Sequence, residues 1–178
     1  MATPLPRPVD DSDLARAARA GDPSALGSMY ERYGTALFNT CRHLTGSTAD
    51  AEDLVHDLFV GLPEALQRYE ERGHLGAWLK RVAVRMALMH LRSMEHRRHV
   101  SLERAATVAT RRRSDERIDA HALEDAIAAL PTTLRAVFVL NRIEGYSHDE
   151  VATLLGITAG ASRVRLTRAL EALRRSLA

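Results

Sequence analysis

The residues with the most evident chemistry lie near the C-terminus, where Arg163, Arg165, Thr167 and Arg168 surround a stripe of Leu166, Leu170, Leu173 and Leu177. Intervals of four, three and four put those leucines on one helical face and turn the arginines and the threonine outward. A guanidinium there can meet phosphate oxygens or, in a major groove, the O6 and N7 acceptors of guanine. A second set is acidic. Asp50, Glu52, Asp53 and Asp57 alternate with Ala51, Leu54, Val55, Leu58, Phe59 and Leu62 at helical spacing, so one face is apolar and the other carries carboxylates. Such a face suits a basic partner; its alternative is a merely solvated surface. Enzymatic patterns are missing from the sequence: there is no phosphate loop, nucleophile elbow or dinucleotide glycine pattern. His90, His96 and His99 come closest to a metal cluster but lack a cysteine or acidic companion at zinc-type spacing. The expectation is a protein that is not an enzyme and uses no metal or cofactor.

The 178 residues are 46% hydrophobic, enough for one large or two small cores. Cys41 is the sole cysteine, so no intramolecular disulfide forms and the chain suits a reducing cytoplasm. Met1 to Asp10 is proline-rich, without the basic start and apolar run of a secretory signal, and no later segment is apolar enough to span a bilayer. A cytoplasmic protein with no membrane insertion is expected. Charge is segregated along the chain: residues 92–117 hold eight basic and four acidic groups, 118–159 two and six, and 160–178 five and one. Every basic residue except Lys80 is arginine.

The elements that must position these groups read as helices throughout. Aromatic residues make up only 4%, and no run shows the β-branched alternation of a strand. A short helix is expected after Asp11-Ser12, stopping at Gly21. Asp22-Pro23 then caps a helix that buries Leu26, Met29, Tyr30, Tyr33, Leu37, Phe38, Cys41 and Leu44 and closes at Gly46. Ser47 or Thr48 opens the acidic helix, which Pro63 should kink or interrupt. A loop over Glu70 to His74 precedes a long helix from Leu75 to about His96, with Trp78, Leu79, Val82, Ala83, Met86, Met89 and Leu91 available to pack. Periodicity then collapses around Arg111-Arg112-Arg113, which reads as a basic, flexible linker. Beyond it, Leu123, Ile127 and Leu130 share a face, Pro131 starts a helix ending at Gly145, and Ser147 with Glu150 has capping-box spacing for a helix to Leu155. Gly156 and a basic last helix complete a helix-turn-helix pattern. The expected fold class is thus all-α with two helical domains: an N-terminal extension and short helix over 1–21, a helical bundle over 22–97, the linker over 98–118 and a helix-turn-helix domain over 119–178.

Three motifs then fall into a known order. They are the run from Asp50 to Phe59, the segment Ala77-Trp78-Leu79-Lys80-Arg81-Val82-Ala83, and Leu130-Pro131 with the stretch from Gly145 to Gly156. Together they resemble an extracytoplasmic-function sigma factor of the sigma-70 family over about residues 22–177. The resemblance implies a subunit that binds core RNA polymerase and directs promoter-specific initiation. The first domain would be region 2-like, docking on the β′ clamp helices through Asp50, Glu52, Asp53, His56 and Asp57 and capturing the melted −10 element. Its base-capturing loop would fall at Arg72 to Gly76, including Gly73 and His74, with Lys80, Arg81, Arg85, His90 and Arg92 along the strand's path. The second domain would be region 4-like, sitting on the β flap and reading the −35 element through Thr158, Ser162, Arg163, Arg165, Thr167 and Arg168. An anti-sigma factor is a further partner that the resemblance implies.

Four residues depart from the family's usual pattern. Arg85 stands where asparagine is common and Met89 where aspartate is, while Ser162 replaces an apolar residue and Val164 a polar one. Two other readings stay open: a stand-alone helix-turn-helix regulator that dimerises through its first domain, and a sigma-like interaction adaptor.

Overall fold

A computed structural model describes residues 10–70, 74–102 and 120–178 of the chain. Among them the order is α1 (Asp11–Arg19), α2 (Pro23–Thr45), α3 (Thr48–Leu66), α4 (Leu75–Leu102), α5 (Ala120–Ala129), α6 (Thr132–Phe138), α7 (His148–Leu155) and α8 (Ala159–Leu177), with no strand among the described residues. A π-helical turn, Val139–Ile143, extends α6.

The helix ends follow from local chemistry. The Asp22 carboxylate accepts from the Ser24 hydroxyl at 2.8 Å and from the Ser24 amide at 2.9 Å, with Pro23 in the first turn, and the hydroxyl first, then the amide, holds its pKa below the usual carboxylate value. Ser47 Oγ accepts from the Asp50 amide at 3.2 Å and starts α3. The C-terminus of α3 is closed by a neighbour: the Arg19 guanidinium of α1 donates to Leu66 O at 2.9 Å and Tyr69 O at 2.8 Å. Of the kink or interruption expected at Pro63, the interruption does not occur, since α3 runs through it to Leu66. It sits in the last turn, where the missing amide removes one hydrogen bond while Leu62 and Leu66 on either side of it are buried.

Helices α1 to α4 bury Leu14, Met29, Leu37, Leu44, Leu58, Leu62, Leu79 and Val84, and α5 to α8 bury Ile127, Val137, Leu140, Val151, Leu166 and Leu173. These side chains form one continuous cluster, so the two helical groups share a core. Trp78 is part of the packing, with its ring 4.9 Å from that of Tyr69.

Four apolar residues assigned to packed faces are exposed. Met89 is 67% exposed because it shares the face of Arg85 and Arg92, and Tyr30 is 56% exposed because only its edge packs on Phe59. Leu177 lies in the last turn of α8, and Leu123 flanks the narrower buried face made by Ala126, Ile127 and Leu130. Helix α4 also runs past His96 to Leu102, so the first residues assigned to the linker are helical; the rest, including Arg111-Arg112-Arg113, lies outside the described residues.

Cys41 is fully buried in α2, and burial first, then the charge of Glu144, pushes its thiol up to about 12. At a given pH that leaves about a thousandfold less thiolate than an ordinary cysteine. Alkylation by iodoacetamide should be very slow in the native protein and fast in denaturant. Rapid native labelling would show that the packing around α2 is open.

Candidate functional site

The acidic side chains of α3 gather as expected. Glu52, Asp53, His56 and Asp57 are exposed, on the side away from the buried Leu54, Val55 and Leu58. Asp50 is half-buried at the head of the row, with Oδ1 3.5 Å from His90 Nε2. A groove of about 410 Å³ runs beside the row, where Glu52, Val55 and His56 of α3 meet Tyr30, Glu31 and Phe38 of α2. Tyr30 and Phe38 were read as core. Their half-exposed rings instead give the acidic face an apolar margin, which only the α2–α3 packing reveals.

The cationic side chains of α4 divide. At about 100° per residue, Arg81, Arg85 and Arg92 lie within about 40° of one another, whereas His90 lies about 180° from Arg81. The three arginines are exposed and form a stripe; His90 is part-buried against α3 beside Asp50. The placement of His90 on the same path as the arginines is therefore corrected. Lys80, about 100° round the helix from Arg81, is half-exposed, and His74 is exposed just before α4, while Gly73 and Arg72 lie outside the described residues.

The helix-turn-helix is built by explicit caps. Ser147 Oγ accepts from the Glu150 amide at 3.3 Å, and the Glu150 carboxylate accepts from the Ser147 amide at 2.8 Å. Gly156 takes the left-handed conformation, φ 67°, that ends α7, and Thr158 Oγ1 accepts from the Ala161 amide at 3.1 Å to start α8. Thr158 is thereby placed at the helix start, exposed.

On α8, Arg163, Thr167 and Arg168 are exposed and Arg165 is half-buried. At about 100° per residue, Arg163 with Thr167 borders one side of the exposed face and Arg165 with Arg168 the other. Between them stands Val164, 51% exposed, which the sequence reading did not include in the recognition set. Ser162 does not belong to that face. It is fully buried, and its hydroxyl pairs with His148 Nδ1 at 2.9 Å, which explains how a polar residue occupies an apolar position of the α7–α8 contact.

The Ser147 cap gives a direct test of this unit. Ser147→Ala should cost about 1 kcal/mol in denaturant unfolding. The Ser147 hydroxyl and amide hold Glu150 below the usual carboxylate value. A folded pKa below the unfolded one means that this stabilisation is complete above the ordinary glutamate value and fades as pH falls through the folded value. Ser147→Ala should therefore flatten the acid limb of the stability curve; an unaltered acid limb would show that the box is not formed in solution.

Comparison with known proteins decides between the open readings. Residues 29–98 match the family described as sigma-70 region 2, and residues 120–173 match that described as sigma-70, region 4. The chain is 33% identical over 165 residues to the RNA polymerase sigma factor CarQ of Myxococcus xanthus, covering 89% of this chain and 92% of that protein. This chain belongs to the sigma-70 family, among the extracytoplasmic-function RNA polymerase sigma factors. It is also 29% identical to the sigma factor SigM of Mycobacterium tuberculosis over 167 residues, 94% of this chain and 84% of that one. Its fold is similar to that of CnrH, solved in complex with the cytosolic domain of CnrY, at TM-score 0.55 and 29% identity over 94% of this chain and 96% of that one. It also has the fold of the sigma factor RpoE of Bartonella quintana, solved with the anti-sigma factor NepR, at TM-score 0.58 and 22% identity over 85% of this chain and 95% of that one. The sigma factor thus binds core RNA polymerase and promoter DNA through two helical domains, those of regions 2 and 4. No helix among its described residues is long and apolar enough to cross a membrane.

Proposed function

We propose that the sigma factor divides its work among three surfaces. The α3 row of Asp50, Glu52, Asp53, His56 and Asp57, with the groove at Tyr30, docks on the β′ clamp helices of core polymerase. The α4 stripe of Arg81, Arg85 and Arg92, with Lys80 and His74, holds the −10 strand, and the exposed face of α8 reads the −35 duplex while its domain sits on the β flap. The observation that supports this most directly is the separation of sign: carboxylates on the solvent face of α3 and guanidiniums on those of α4 and α8. The protein works in the cytoplasm and catalyses no reaction itself. Because the structures of CnrH and RpoE each hold a second protein, and that of RpoE is called an anti-sigma factor, this sigma factor also has an anti-sigma partner.

In α8, Arg163 and Thr167 contact one side of the groove, Arg165 and Arg168 the other, and Val164 approaches the base edges, where its methyls suit a thymine methyl. Thr158 stays at the helix N-terminus, within reach of a phosphate. Arg163→Ala should lower −35-dependent run-off transcription by about 1–3 kcal/mol if the contact is bidentate to a base, and should lower it equally for all sequences if the contact is to phosphate. Core binding should be unchanged. An unchanged −35 preference would move recognition to another face of α8.

Run-off transcription with purified core enzyme tests the whole assignment. Arg81→Ala combined with Arg85→Ala should block promoter opening without weakening core assembly; normal opening would remove the stripe from the strand's path.

A further inference from the structure

Helix α1 lies outside residues 29–98, the span that matches region 2, yet it holds both ends of the segment that leads from α3 into α4. On the α3 side its Arg19 guanidinium donates to Leu66 O at 2.9 Å and Tyr69 O at 2.8 Å, and Gln67 Nε2 donates back to Arg19 O at 3.1 Å. On the α4 side the hold passes through a ring. Asp11 Oδ1 accepts from Tyr33 Oη and from Arg32 Nη1, each at 2.6 Å. The Tyr33 ring lies so close to Gly76 that a Cβ there would stand 2.9 Å from Cε1, so only glycine fits unless the ring moves. Burial first, then the hydrogen bond to Asp11, pushes the Tyr33 phenol up to about 12, which keeps it a donor near neutral pH. Only residues 70–74 lie between Tyr69 and Leu75, the first residue of α4, and the rings of Tyr69 and Trp78 meet at 4.9 Å across that gap in sequence.

We propose that α1 is a positioning element for −10 strand capture, in which Arg19 and Asp11, acting through Tyr69 and Tyr33, fix the place of His74 and of the head of α4. The inference rests on the assignment of His74 and the α4 stripe to that strand. His74 is tied into the same frame, because its backbone oxygen accepts from the Trp78 amide at 3.0 Å and Trp78 packs on Tyr69. Arg81, Arg85 and Arg92 follow on the same helix, so a shift at Gly76 is carried to each of them. Burial explains how nine residues can serve as an anchor: Leu14, Ala15 and Ala18 are packed in the core, which holds Asp11 and Arg19, the two ends of α1, about 12 Å apart along its axis. Arg19 grips backbone oxygens, so its hold does not depend on which side chains the following segment carries. None of the α1 residues has to touch DNA.

The fraction of time spent in the held geometry sets the size of the effect. If releasing one end leaves that geometry populated about one-tenth of the time, strand capture weakens about tenfold. Full-length variants joined to core enzyme test this. The probe is a duplex selected by the unmodified holoenzyme from a random-sequence pool; permanganate reactivity of its unpaired thymines reads opening, and gel filtration with β and β′ reads assembly. Arg19→Ala and Tyr33→Phe should each lower opening about tenfold and leave assembly unchanged, since neither residue belongs to the acidic row of α3. Arg19→Lys, whose ammonium keeps the charge without the fork, should fall between. Gly76→Ala should lower opening in the otherwise unmodified chain but add no further loss to Tyr33→Ala, where the ring it collides with is gone.

Circular dichroism confirms that each variant is folded, and Tyr33→Phe, which deletes a single oxygen, keeps the test open if Arg19→Ala does not fold. Normal opening in Arg19→Ala and Tyr33→Phe would overturn the proposal. Opening and assembly that fall together would also overturn it, by making α1 a general prop of the domain. Additive losses from Gly76→Ala and Tyr33→Ala would overturn the route through the ring. Failure of the underlying assignment reads differently: Arg81→Ala with Arg85→Ala would then open the same duplex normally.

Discussion

Asp53→Arg combined with Asp57→Arg should abolish assembly with core RNA polymerase and leave the helix intact. Both side chains are exposed, and the buried residues that hold α3 in place, Leu54, Val55 and Leu58, are untouched. The magnitudes decide the outcome. Within the free protein both positions lie beyond the first turn of α3, where the helix dipole adds little, so each exposed substitution costs about 0.5 kcal/mol at most. At the interface, like charges brought against a basic partner surface cost several kcal/mol, about 2–5, and slow the encounter as well. Binding should therefore fail while helicity and melting temperature barely move. Assembly can be followed by co-migration with β and β′ in gel filtration, and raising the salt should weaken the unmodified complex in the same direction. Normal assembly of the double variant would reduce the acidic row to a solvated face and shift docking to the groove at Tyr30.

Local rules carried most of the secondary structure. Asp22-Pro23, Gly46, Ser47, the Ser147–Glu150 box and Gly156 act within a few residues, and each appears as an end of a helix at the place its chemistry dictates. The surfaces were legible only where helical periodicity settles orientation. The row on α3 follows from the spacing of its apolar residues, but His90 was grouped with Arg81 by sequence neighbourhood although the two lie on opposite sides of α4. Ser162 belongs to the recognition set only by the resemblance, although it replaces an apolar residue there, and its full burial against His148 removes it from that set. The contact between the domains was not legible at all. Glu144 reads as one more acid in an acidic segment, and only the packing shows that it meets Thr40 and Lys80, while Arg135 reaches Leu44 and Thr45 as well as Ala128.

Arg135 carries the second large effect. It is 5% exposed, in α6, and its guanidinium donates in two directions: to Leu44 O at 3.0 Å and Thr45 O at 2.7 Å at the end of α2, and to Ala128 O at 2.8 Å at the end of α5. Helix ends leave carbonyls without partners, and here one planar cation closes two of them at once. Gly46 is what admits it, since a Cβ at that position would lie 2.6 Å from Nη1 and the backbone there is left-handed at φ 70°. Arg135→Ala should therefore strand carbonyls on both sides, at about 1–3 kcal/mol for each group that stays buried. The two sides respond differently. Those of Leu44 and Thr45 regain water if the domains separate, so their cost cannot exceed the cost of separation; that of Ala128, part-buried within the second domain, loses its charged donor whether or not the domains separate. The expected result is that a single cooperative unfolding transition splits in two, with the first domain near its original stability and the second about 1–3 kcal/mol less stable. Arg135→Lys should behave nearly as badly, because an ammonium cannot reach both helix ends with the geometry of the guanidinium fork. Calorimetry of the three full-length proteins decides: a single transition in Arg135→Ala, shifted as a whole, would mean that the shared apolar core and not this arginine couples the domains.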